Sequence, residues 1–141
     1  MLKLGGYINI CIATAHLIGL IWAKQMFELT GVGKEMGGLA QIQPSLPYIL
    51  TVSVAVVFFI FGLYGLSAAG EIRKLPLLKP GVFSIAAIYI FRGIGELIFD
   101  ISKHVASPLT ETTYSLIALA IGMLYLIGGL KKWKLNEIKT N

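Results

Sequence analysis

Residues 89–100 read YIFRGIGELIFD, and whether this stretch crosses a membrane decides the fold. Arg92, Glu96 and Asp100 stand four residues apart in it, among apolar residues and glycines. At about 100° per residue a four-residue step returns to nearly the same side of a helix. The three charges therefore share one side, with Tyr89 beside them. A charged side chain near the bilayer centre costs at least about 2.5–3.5 kcal/mol on insertion scales. Three of them on one face require partners, and neighbouring helices have to supply the shelter.

Working outward, the rest of the chain consists largely of such neighbours. Of 141 residues 56% are hydrophobic and only 13% are charged, against about 25% charged in a soluble domain. Leu4–Ala23, Met36–Gly70, Pro80–Phe91 and Thr112–Leu130 contain no Asp, Glu, Lys or Arg. A helix needs about 20 apolar residues to cross a hydrocarbon core of about 30 Å. Three of these runs are long enough alone, and the third spans only by continuing through Arg92, Glu96 and Asp100. Spanning segments are helices or closed barrels. Continuous rather than alternating apolar runs exclude the barrel. The expectation is one all-α domain of four transmembrane helices in an antiparallel bundle, at roughly 4–23, 47–69, 81–102 and 111–130. The connecting loops are too short for a soluble domain.

Each span carries a face of small residues. Gly5, Asn9, Ala13, His16, Gly19 and Ala23 align on the first. Thr51, Ala55, Gly62, Gly65 and Ala69 align on the second, beside Tyr48 and Phe58. Ser115, Ala118, Gly122, Tyr125 and Gly129 align on the fourth. Small faces let membrane helices approach closely. The longest loop, 24–46, is rich in glycine and reads as turns, with a short interfacial helix around Lys34–Gln41. Pro76 and Pro80 stop any helix from running through the turn Gly70–Pro80. The basic tail from Lys131 is expected to fray. The apolar run that follows Met1 is too long for a signal peptide and contains Asn9 and His16, so it is read as an uncleaved helix.

Charge sets the expected orientation. Lys3, the turn with Arg73, Lys74 and Lys79, and the tail with Lys131, Lys132, Lys134 and Lys139 hold eight basic residues. The opposite loops hold three, Lys24, Lys34 and Lys103. The positive-inside rule places both termini in the cytoplasm of a cell whose inner membrane the protein crosses four times. The net charge of +5 is explained by this asymmetry, and no nucleic-acid partner is expected.

Depth follows from the helix rise. Arg92 lies about 16 Å past Gly81 and His16 about 18 Å past Leu4, so both sit near mid-membrane. Glu96 is a turn nearer the outer side, and Asp100 and Lys103 approach the outer surface. Tyr48, Thr51, Tyr114 and Ser115 fall in the same outer half. Together they outline a polar pocket open outward. In it Arg92 would hold an anionic or carbonyl group with its planar fork. Glu96 and His16 would exchange protons, and Asp100 and Tyr89 would flank the site. The same residues have a plainer use. Arg92 can neutralise Glu96 along the helix, Asp100 can pair with Lys103 or snorkel, and His16 and Asn9 can serve helix packing. Glu35 and His104 read as ordinary loop residues.

Familiar chemistries find no footing. Two histidines, one of them His104 at a surface, do not make a pair of haem ligands. Cys11 alone gives neither a disulfide nor a zinc ligand set. No phosphate loop and no Gly-x-Ser-x-Gly elbow are present, and Ser67 in YGLSAAG has no base near it in sequence. No catalytic residue, metal or cofactor is assigned, and enzymatic activity is the less favoured expectation.

The segments YGLSAAG (64–70), IRKLPLLK (72–79) and YIFRG (89–93) resemble parts of a group of small four-helix bacterial inner-membrane proteins. That resemblance implies the fold and a bacterial inner membrane, and it carries over no activity and no functional residue. A likeness to small multidrug resistance transporters stops at the first helix, which holds His16 where that family has a glutamate. A likeness to vitamin K epoxide reductases lacks the second cysteine. Three functions follow as expectations. The first is a binding or transport protein for a small molecule or ion, acting as a homo-oligomer. The second is a non-catalytic assembly or immunity-type subunit with a membrane partner. The third is a lipid-modifying enzyme using His16 and Glu96 as acid and base.

Overall fold

The computed structural model describes residues 1–103 and 109–140, with side chains described for 1–98 and 112–134. It consists of α1 (Leu2–Gly19), a 3₁₀ turn (Leu20–Trp22), α2 (Ala23–Leu29), α3 (Gly33–Ile42), α4 (Leu46–Ala69), α5 (Leu78–Lys103) and α6 (Leu109–Thr140). Four stretches are long and apolar enough to cross a bilayer: Leu2–Leu29, Leu46–Ala69, Leu78–Ile98 and Thr112–Lys134. The protein is a four-helix, multi-pass membrane bundle.

Neighbouring helices run antiparallel, and the contacts show it residue by residue. Gly6 of α1 abuts Gly62, Gly65 and Leu66 of α4, while His16, ten residues on, meets Phe58. On α5 and α6, Gly93 packs on Ser115 and Leu119, Gly122 on Tyr89 and Ile90, and Phe83 on Gly129 and Trp133. Leu2 meets Gly128, and Tyr64 meets Gly81. The ring order is α1, α4, α5, α6. Two pairs, α1 with α4 and α5 with α6, pack most extensively, and the pairs meet each other over a smaller area.

The core is built from Leu2, Ala68, Val82, Ile85, Ala86, Tyr89, Ala118, Ile121 and Tyr125. Most of it lies in the half of the bundle that contains Leu2 and the α4–α5 turn, while Ala13, Ala23, Phe27 and Ala55 are buried further toward the other end. Large apolar side chains such as Val56, Phe59, Ile60 and Phe91 are exposed, as a lipid-facing surface requires.

Several element ends differ from expectation, each for a visible reason. The first span does not stop at Ala23. After the 3₁₀ turn it resumes as α2, bent so that Met26 folds over Gly19. The glycines of the following loop break the chain only at Gly31, which has φ +81°. α3 forms where the short interfacial helix is expected, and none of its residues is buried. α5 starts at Leu78 rather than Gly81, because Pro80 sits in its first turn, where a missing N–H costs little. The tail does not fray at Lys131 but continues α6. Trp133 stacks on Phe83, and Lys132 donates to the carbonyl of Ala68, which hold this turn against the bundle.

The end that carries the N-terminus is tied together tightly. Gly70, at φ +85°, caps α4 in the left-handed conformation, with Glu71 N–H donating to Leu66 O at 3.0 Å. Ser67 Oγ donates to Arg73 O at 2.9 Å and accepts from Leu75 N–H at 2.9 Å. Its hydroxyl is thus committed to the turn. Tyr64 OH reaches Pro76 O at 3.1 Å, and Lys3 pairs with Glu71 at 2.9 Å.

Candidate functional site

Two polar clusters stand on α5, one turn apart. The first centres on Tyr89, whose hydroxyl donates to Asn9 Oδ1 on α1. The Asn9 amide donates to Gly5 O at 2.9 Å and to the Tyr125 hydroxyl on α6 at 3.3 Å. Tyr125 in turn donates to Phe61 O on α4 at 2.7 Å. One chain of hydrogen bonds therefore crosses all four spanning helices at their centre. Asn9 and Tyr125 are fully buried. Gly5 and Gly65 make room for the Tyr125 ring: a Cβ on either would lie 2.7 or 2.6 Å from it. Sequence reasoning placed Asn9 and Tyr125 on packing faces and Tyr89 in the site. Their mutual contact, between positions 80 and 116 residues apart, left no trace in the helical periodicity.

The second cluster is Arg92, Glu96 and Ser115. Arg92 Nη2 stands 3.2 Å from Glu96 Oε1, and Ser115 Oγ donates to Glu96 Oε2 at 2.7 Å. The glutamate is thus shared between its own helix and α6. Gly93 enables this, because its missing Cβ would lie 2.8 Å from Ser115 O, so α5 and α6 touch backbone to backbone beside the pair. Arg92 and Glu96 lie within about a sixth of a turn of Tyr89 on the helix wheel. Yet their side chains are 57% and 42% exposed, whereas Tyr89 is buried. The cover that the α1–α4 pair gives this side of α5 therefore ends one turn before Arg92.

His16 closes the far side of that boundary. Its Nδ1 lies 2.8 Å from Ile12 O. A carbonyl only accepts, so Nδ1 carries the proton and Nε2 is the acceptor in the neutral ring. The imidazole rests on Phe58 at 5.4 Å between ring centroids, and Phe58 stacks on Tyr89 at 6.4 Å. The aromatic layer thus links His16 to Tyr89, which stands one turn of α5 before Arg92. Among the other expected contributors, Thr51 spends its hydroxyl on Pro47 O at 2.8 Å. Tyr48 and Tyr114 are exposed. The side chains of Asp100 and Lys103, and the whole of His104, lie outside the described residues. Cys11 faces outward.

Among the described residues no three His, Cys, Asp or Glu side chains gather as a metal site. What the arrangement offers is one permanent cation, one carboxylate with a hydroxyl partner, and the His16 imidazole on the aromatic layer that reaches Tyr89. No protein-family model matches this chain, and no curated protein or solved structure matches it either.

Proposed function

We propose that the protein binds or transports a small molecule or ion, at a site formed by Arg92 and Glu96 with His16, Tyr89 and Asp100 around them. The observation that carries this reading is the abrupt change along one side of α5. That side is buried at Val82, Ile85, Ala86 and Tyr89 and opens at Arg92. An ion pair with charges near mid-membrane is expensive when it faces hydrocarbon. A recess between the two helix pairs, filled by water or ligand, relieves that cost. The eight-to-three excess of basic residues at the other end sets both termini in the cytoplasm of the inner membrane. Ligand therefore enters from the outer side, and the tightly tied cytoplasmic end forms the floor. Transport through so few helices calls for a second copy, and exposed apolar α5 residues such as Ile88, Phe91 and Ile98 offer it a surface.

Reconstituted vesicles test this. Arg92→Ala is expected to abolish ligand binding and uptake, and Glu96→Gln to change the binding or uptake profile, while both leave the protein folded. If both variants behave as wild type, the proposal is wrong.

One observation favours a second reading. Phe91 is 78% exposed directly beside Arg92, a combination that a partner helix from another membrane protein could cover. A stoichiometric partner that co-purifies with wild type and is lost with Arg92→Ala would make this an assembly subunit.

A further inference from the structure

We propose that the ligand of this site is a small anion taken up together with one proton, which settles on Glu96. This rests on the site proposed above and names what it selects. The charged and titratable groups on the four packed helices set the electrostatics around Glu96. Its own helix supplies Arg92, with Asp100 a turn further along. α6 supplies the Ser115 hydroxyl, carries Glu111 one turn before it and has no charged residue from Thr112 to Leu130, Tyr114 being its phenol toward the open end. α4 has no charged residue from Leu46 to Ala69, and its phenol there is Tyr48. α1 supplies His16, which rests on Phe58.

Arginine does not lose its proton in proteins, so the guanidinium is a fixed cation, and Glu96 is its counter-ion in the resting site. An oxyanion that takes the guanidinium displaces that carboxylate and stands beside it as a like charge. A proton on Glu96 removes this repulsion and leaves the net charge of the site as it was before the anion bound.

The geometry suits that exchange. Glu96 holds Arg92 by a single contact, Oε1 to Nη2 at 3.2 Å, while Oε2 accepts from Ser115 at 2.7 Å. A proton from bulk water on the open side adds to Oε1, forming the O–H bond there and removing the negative charge that holds the guanidinium. Oε2 keeps its hydrogen bond from Ser115, so the carboxyl stays in place. The freed fork presents parallel N–H donors, a match for a planar or tetrahedral oxyanion. Release reverses the order: the proton leaves Oε1 and the carboxylate recaptures Arg92. The anion and Glu96 thus compete for one cation, and that competition is the coupling.

A soluble oxyanion and a lipid phosphate share this chemistry, and two bilayers separate them. Protein in nanodiscs of phosphatidylcholine is titrated with inorganic phosphate, formate and nitrate in weakly buffered solution, with a pH dye reading protons. Uptake of about one proton per anion is expected. Affinity should weaken as pH rises, by up to about tenfold per pH unit, the limit for one proton taken up with each anion. If discs containing phosphatidylglycerol suppress binding of the added anions, the headgroup itself occupies the site and the anion class still holds. Glu96→Gln should bind anions with no proton uptake and a flat pH profile. Arg92→Lys, which keeps the charge and the fold, should weaken binding at least tenfold. Anion binding without protons in wild type, proton uptake that persists in Glu96→Gln, or no effect of any anion or of the anionic lipid overturns the inference. A cationic or neutral ligand lost in Arg92→Ala would overturn it too, while leaving the site itself standing.

Discussion

Asn9 is saturated: its two amide protons go to Gly5 O and the Tyr125 hydroxyl, and its oxygen accepts from Tyr89. In a hydrocarbon surround no water stands by to replace a lost partner. Asn9→Ala removes three of these interactions and opens a small void among Gly5, Tyr89 and Tyr125. The expected loss of stability is about 1–3 kcal/mol, the range for buried polar groups left without partners. Tyr125→Phe removes the donor to Phe61 O, which keeps its place in the α4 ladder, and the acceptor for the Asn9 amide. Interhelical hydrogen bonds in membranes average about 0.6 kcal/mol each, so a milder loss of about 1 kcal/mol is expected. Unfolding of both variants and of the double variant in mixed micelles checks this. The two effects should fall short of additivity, because both substitutions remove the Asn9–Tyr125 contact. Strict additivity would mean that the two groups do not act as one network.

At the scale of the element, close approach is a matter of specific glycines. A Cβ on Gly65 would lie 2.8 Å from Gly6 Cα and 2.6 Å from the Tyr125 hydroxyl, and neither α1 backbone nor a hydrogen-bonded phenol can easily yield. Gly65→Ala should therefore cost about 1–3 kcal/mol, as overpacking does. At Gly95 a Cβ would meet nothing within 4 Å. Gly95→Ala should instead gain about 0.5–1 kcal/mol from the backbone entropy of the unfolded chain. Thermal unfolding of the two variants side by side tests the contrast. The small faces themselves were legible, since Gly5, Gly62, Gly65 and Gly122 recur at helical spacing. The four spans were legible too, from uncharged runs longer than a bilayer is thick. The partner each face meets was not, because periodicity reports one helix at a time. Thus Ser115 was placed in the outer half of its helix with no sign that Glu96 is what it bonds. The continuation of α1 into α2 was hidden for another reason. Nothing in Leu20–Trp22 forbids helix or demands it, and the contact of Met26 with Gly19 decides the matter.

Taken whole, the molecule is asymmetric from end to end. One end holds the Ser67-braced turn, the Lys3–Glu71 pair, the Lys132 and Trp133 contacts and most of the buried cluster around Tyr125. The other end holds Arg92, Glu96 and the aromatic boundary at Phe58. The antiparallel arrangement brings Lys3, Arg73, Lys74, Lys79, Lys131, Lys132 and Lys134 to the closed end, so the basic excess and the rigid floor coincide. The outward-opening, proton-coupled site proposed above requires that this end face the cytoplasm, and a reversed insertion would turn its mouth inward. Accessible thiols measure the orientation directly. Cys11 is exposed on the lipid-facing surface of α1 and is first replaced by serine. A cysteine at Lys34, in α3, should then react with an impermeant reagent added to intact cells. A cysteine at Lys74, in the α4–α5 turn, should react only after the membrane is opened. The opposite pattern would place the mouth of the site in the cytoplasm. Adding lysines beside Lys24 and Lys34 should weaken the preference and give mixed labelling, because the orientation depends on an excess of eight basic residues over three.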